Sequence, residues 1–138
     1  MNKEAAPEGA IRVLIADDDA RVRHALRALL ESDSGIRVVG EASSPADVLR
    51  GDTELRPSVI LLDLIMPEAE DGLRLLTQLT QRPERCVVAM SLRNSLGRKA
   101  LEAGARAFLE KGAAPDLVLS ALRTAAGAFR ADQGTARI

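Results

Sequence analysis

Five short apolar runs constrain this chain more than any other feature. They lie at residues 13–16, 36–39, 59–62, 86–90 and 107–109, and most are rich in valine, isoleucine or leucine. Strict apolar–polar alternation is absent from most of them, which suits strands covered on both faces. Between the runs, apolar residues recur at helical spacing. Val22, Ala25, Leu26, Leu29 and Leu30 form one stripe. Ser44 and Pro45 open a second helix as cap and first-turn residue. Leu73, Leu75, Leu76 and Leu79 mark a third, closed near Pro83. Leu96, Ala100, Leu101 and Ala103 mark a fourth, stopped at Gly104. Leu117, Val118, Ala121, Leu122 and Ala125 mark a fifth, opened by Pro115 and closed by Gly127.

Strands alternating with helices in this way imply an α/β domain with a parallel sheet and helices on both faces. The expectation is a doubly wound (βα)5 unit with five parallel strands in the flavodoxin-like order 2-1-3-4-5. At 138 residues the chain fits one domain. Its net charge of −1 gives no electrostatic case for nucleic-acid binding. Arginine outnumbers lysine 16 to 3, which reads as compositional bias and not as a site. A lone cysteine, Cys86, cannot form an internal disulfide and reads as a buried structural thiol. The first ten residues lack the apolar core of a signal peptide. No apolar run approaches a membrane span, so the expected location is cytoplasmic with no membrane partner.

Open α/β sheets bind ligands at the carboxyl ends of their strands, near the topological switch point. Asp17, Asp18 and Asp19 follow the first strand, and Asp63 ends the third. Ser91 ends the fourth, and the fifth runs into Lys111. In the expected order, strands one and three are neighbours, so Asp17, Asp18 and Asp63 converge. Clustered carboxylates repel and call for a cation. Mg²⁺ accepts one or two carboxylates together with phosphate oxygens and water. An aspartate can then attack phosphorus to form an acyl phosphate. Transfer needs mainly positioning and neutralisation of the phosphoryl oxygens, which Mg²⁺, Lys111 and the Ser91 hydroxyl can supply. Asp19 reads as the cap of the first helix. The spacing of a calcium loop is absent.

These residues resemble the receiver domain of two-component response regulators. The acid pair stands in Val-Leu-Ile-Ala-Asp-Asp-Asp, ending at Asp19, and the phosphoacceptor in Val-Ile-Leu-Leu-Asp-Leu-Ile-Met-Pro, ending at Pro67. Ser91 matches the switch hydroxyl. Lys111 ends Ala-Gly-Ala-Arg-Ala-Phe-Leu-Glu-Lys, which puts Phe108 at the aromatic switch position. Arg21-Val22-Arg23 is most similar to the NarL-type branch, whose members often add a C-terminal helix-turn-helix. The resemblance implies phosphorylation of Asp63 by a sensor histidine kinase or a small phosphodonor. It implies Mg²⁺ held directly by Asp18, Asp63 and the Ile65 carbonyl, and through water by Asp17. Lys111 would pair with the acyl phosphate, Ser91 would move toward it and Phe108 would turn inward. The face of helix four, strand five and helix five would then change partners, including a possible homodimer. DNA would be reached only through an output domain not present in this sequence. The expected domains are a disordered segment at 1–10, a receiver at 11–128, and a tail or truncated linker at 129–138.

Four departures from the family pattern stand out. The Asp71-Gly72 pair comes one residue late after Met66-Pro67, so that loop carries an insertion. Leu92 stands where a small residue is usual and narrows the way to Asp63. The segment 91–104 is about two residues short. Ile65 replaces a polar group that helps water attack in some members, so a long-lived acyl phosphate is expected. Leu92 and the insertion also leave open a phosphorylation-independent interaction module on the same fold. A phosphohydrolase using Asp17 and Asp19 is disfavoured, because Ala20-Arg21 follow where Thr or Val is expected.

Overall fold

A computed structural model describes residues 9–136; most of the expected N-terminal segment lies outside them. The elements alternate without exception. They are β1 (Ile11–Ala16), α1 (Ala20–Glu31), β2 (Ile36–Ala42), α2 (Pro45–Leu55), β3 (Val59–Asp63) and α3 (Ala69–Thr80). There follow β4 (Val87–Ser91), a 3-10 turn (Asn94–Leu96), α4 (Gly97–Glu102), β5 (Ala107–Glu110) and α5 (Pro115–Ala136). The strands form one parallel sheet in the order β2-β1-β3-β4-β5. That is the topology the alternation requires.

Strand pleating sends alternate residues to opposite faces, and both faces are apolar. Val13, Ile15, Leu61, Val88 and Met90 join Leu122 and Val118 in a core beneath α1 and α5. Leu14, Ile60, Leu62, Val87 and Ala89 join Leu75, Leu76, Leu79 and Ala100 in a second core beneath α2, α3 and α4. Each such Leu or Ile, once buried, contributes about 1.5–3 kcal/mol. The doubled coverage explains why β3 and β4 show continuous apolar runs instead of alternation.

Local signals set several boundaries. The Asp19 carboxylate accepts from the Arg21 amide at 2.9 Å and caps α1. This bond, reinforced by the Arg21 side chain, holds the Asp19 pKa below its ordinary value. The Ser44 hydroxyl accepts from the Asp47 amide at 3.1 Å, with Pro45 as the first helical residue of α2. Gly104, at φ +106, lets the chain leave α4 where a side chain would be strained.

Two expectations need correction. Gly127 does not end α5, which runs on to Ala136. Tertiary contacts hold the extension: the Arg106 guanidinium lies over the Phe129 ring at 5.1 Å and pairs with Asp132. The expected tail therefore starts inside a helix. Leu101 and Leu117 lie in their expected helices, α4 and α5, and are 51% and 57% exposed. The short segment before Gly104 leaves α4 only six residues, after one 3-10 turn. Cys86 lies just before β4 and not within it, but it is buried, and burial pushes its thiol pKa up to about 11.

Candidate functional site

The carboxyl ends of β1, β3, β4 and β5 meet at one edge of the sheet. Asp63 is the last residue of β3 and is only 3% exposed. Its Oδ1 accepts from the Ile65 amide at 3.1 Å, and its Oδ2 accepts from Lys111 Nζ at 3.0 Å. Lys111 Nζ also lies 2.7 Å from Asp17 Oδ2. That second contact is ionic rather than an aligned hydrogen bond. The other Asp17 oxygen accepts from the Asp19 amide at 2.9 Å, which turns the chain into α1. The Lys111 amide donates to the Ser91 carbonyl at 2.8 Å, tying the end of β5 to the end of β4.

Burial raises the pKa of Asp63, while Lys111 and the Ile65 amide work against it. Burial alone would lower the pKa of Lys111, but its contacts with Asp17 and Asp63 outweigh that and raise it. Lys111 thus remains an ammonium between two acids. Asp18 is exposed at the mouth of the site. Asp17, Asp18 and Asp63 each offer a carboxylate oxygen, and these oxygens lie within 4.8 Å of one another. Three carboxylates face one ammonium, so the site retains about two negative charges. Hard oxygen donors with that residual charge fit a divalent cation such as Mg²⁺.

Ser91 is fully buried, and its Oγ accepts from the Arg93 amide at 3.0 Å. Phe108 does not line the site. Its half-buried ring packs into the core beneath α4, beside Gly97. Asp63 and Lys111 open into a cleft of about 240 Å³ with Asp18, Asp19, Ile65, Pro67 and Leu92. Leu92 is 72% exposed there. A larger, mostly apolar groove of about 630 Å³ adjoins the cleft between α1 and α5, sharing Asp19, Leu92 and Lys111.

Two supporting groups escaped sequence reasoning. Arg23 Nη1 donates to the Asp17 carbonyl at 2.7 Å, and its Nε pairs with Glu41 on β2 at 3.0 Å. Gly72 brings α3 directly against the Leu64 carbonyl, next to Asp63. The late Asp-Gly pair hinted at the second; the first depends on a contact 18 residues apart.

The model of the response regulator receiver domain matches residues 13–123. The chain belongs to that family. This receiver is 36% identical over 116 residues to the response regulator UvrY of Escherichia coli strain K12, covering 83% of this chain and 53% of that protein. It is equally identical over 118 residues to the transcriptional regulatory protein LiaR of Bacillus subtilis strain 168, covering 83% and 56%. The signal receiver domain of NarL from Mycobacterium tuberculosis superposes with a TM-score of 0.78 at 27% identity, covering 86% of this receiver and 97% of that chain. These likenesses support the NarL-type branch. The receiver spans about half the length of the curated relatives it matches.

Proposed function

We propose that Asp63 accepts a phosphoryl group from a sensor histidine kinase, within a two-component pathway. The observation that carries this reading is the Lys111 ammonium held between Asp63 and Asp17 at the ends of adjacent strands. An Asp63 carboxylate oxygen would attack phosphorus as the P–N bond to the kinase histidine breaks. The leaving imidazole keeps the bonding electrons and takes up a proton. Lys111 stays beside the product and pairs with a phosphoryl oxygen. Burial raises the basicity of Asp63, which favours its nucleophilicity, and Lys111 partly opposes that shift. Asp17, Asp18, Asp63 and the Ile65 carbonyl would hold Mg²⁺, which supplies charge neutralisation at the phosphoryl group when bound.

The Ser91 hydroxyl would turn from the Arg93 amide toward the phosphoryl group. Phe108 would then turn further inward from its place beside Gly97, altering the α4–β5–α5 face. Exposed Leu101 and Leu117 on that face suit it to a partner or a second receiver. The apolar groove between α1 and α5 suits the kinase, because it opens beside Asp63. Control of transcription would pass through an output domain, as the name of LiaR suggests for that protein. No helix of the described residues is long and apolar enough to cross a membrane.

Incubation with acetyl phosphate and Mg²⁺ should add one phosphoryl mass to the intact chain, and Asp63→Asn should abolish the gain. Undiminished labelling of Asp63→Asn would remove the assignment. A second reading is an interaction module that works without phosphate, favoured by Leu92 at the mouth of the cleft. Failure of the wild type to take either acetyl phosphate or beryllofluoride would select it.

A further inference from the structure

The opposite end of the sheet carries a second charged cleft. It occupies about 470 Å³ and is lined by Thr53, Arg56, Arg82, Glu84 and Arg85. Arg56 lies just before β3, and Arg82 and Arg85 lie before β4, whereas Asp63 and Ser91 close those same strands. Five residues of strand put about 15 Å between the two ends.

A buried carboxylate organises this cleft. Asp52 is 2% exposed; its Oδ1 faces Arg85 Nε, and its Oδ2 lies 3.5 Å from Arg82 Nη1. One guanidinium would compensate one carboxylate. Two converge on it, so positive charge is left facing the cleft. The nearby Glu84 carboxylate is 3.9 Å from Arg85 Nη1 and 56% exposed, too distant and too solvated to cancel that surplus.

Arg56 forms the third wall. It ends α2 in the left-handed conformation, at φ 46, and makes no ion pair among the described residues. Arg12 reaches from β1 to the carbonyls of Arg56 and Leu55, at 2.7 and 2.6 Å. Those contacts cover the negative end of α2, which would otherwise repel an anion. Three guanidiniums, of Arg56, Arg82 and Arg85, stand with the carboxylates of Asp52 and Glu84, leaving a formal charge of +1 at the cleft.

We propose that this cleft binds a small molecule carrying one or two phosphate groups. Guanidinium forks match phosphate oxygens in paired hydrogen bonds. Asp52 fixes Arg85 before a ligand arrives, so less side-chain freedom is lost on binding. The cleft volume falls in the range of small-molecule sites, about 300–1,000 Å³. The site does not depend on phosphoryl transfer to Asp63.

The test is titration of the ¹⁵N-labelled full chain with sodium pyrophosphate and, separately, ADP. EDTA is present and ionic strength is held constant with sodium chloride. The amides of Thr53, Arg56, Glu84 and Arg85 should shift and saturate at submillimolar ligand. The double variant Arg56→Gly/Arg82→Ala should weaken binding at least tenfold. Glycine keeps the left-handed backbone, and the Asp52–Arg85 pair stays intact, so the fold is retained. Tighter binding of ADP than of pyrophosphate would identify a nucleotide; equal binding would identify the phosphates alone. Shifts confined to the Lys111 end, unchanged affinity in the double variant, or response only to duplex DNA would overturn the proposal.

Discussion

Gly72 on α3 sits against the main-chain carbonyl of Leu64, the residue that follows Asp63, with no space for a side chain. Backbone meets backbone there, so no rotamer change can make room. Gly72→Ala should cost about 3 kcal/mol in urea unfolding, at the upper end for overpacking. Gly127 supplies the contrast. A Cβ there meets nothing within 4 Å, and the position is inside α5. Gly127→Ala should stabilise by about 0.5–1 kcal/mol. Similar effects at both positions would contradict the close approach of α3.

Asp63 shares its surroundings with two other carboxylates and only one ammonium. Removing one negative charge relieves repulsion and leaves Lys111 paired with Asp17. Asp63→Asn should therefore raise stability by about 1 kcal/mol at pH 7 in EDTA. Millimolar Mg²⁺ should stabilise the wild type by linkage and the variant much less. Urea melts with and without Mg²⁺ measure both effects. A variant less stable than the wild type in EDTA would show that Asp63 is held by attraction instead.

Strand order and the meeting of Asp17, Asp63 and Lys111 were legible because both follow from local patterns. Apolar runs name the strands, and residues at strand ends inherit their place from the topology. What stayed hidden depends on partners distant in sequence. Gly127 carries a stop signal, but Arg106, on the edge strand, holds Phe129 and Asp132 in a continuing helix. Leu101 and Leu117 fit apolar stripes by spacing, yet they are 51% and 57% exposed. Nothing in the sequence marks Asp52 as buried, and its partner Arg85 lies 33 positions later.

Glu41 offers a pH-dependent test of the α1–β2 contact. Burial alone would raise its pKa, but Arg27 and Arg23, at 2.8 and 3.0 Å, outweigh that and lower it below the ordinary 4.5. A lowered carboxylate pKa adds stability that is fully present above 4.5 and is lost as pH falls through the folded-state value. Glu41→Gln should cost about 1–2 kcal/mol at pH 7. The gap to the wild type should close as pH drops below 4.5, because protonated Glu41 then resembles glutamine. Denaturant melts across that range would show a constant gap if the ion pairs add nothing.

Ile65 and Leu92 both line the cleft that opens onto Asp63. Neither can orient a water molecule, and together they present an apolar entrance. A phosphoryl group on Asp63 should therefore survive for minutes or longer, because the attacking water lacks a hydrogen-bonding guide. Ile65→Asn supplies such a group and should shorten the lifetime several-fold. Leu92 acts on entry instead of hydrolysis, since it is 72% exposed and contributes little to the core. Leu92→Ala should speed labelling by acetyl phosphate several-fold while leaving stability within about 0.5 kcal/mol of the wild type. Phosphoprotein decay and labelling rates, followed by intact mass, separate the two effects. A wild-type lifetime of seconds, or equal decay with Ile65→Asn, would show that water reaches the acyl phosphate without passing either side chain.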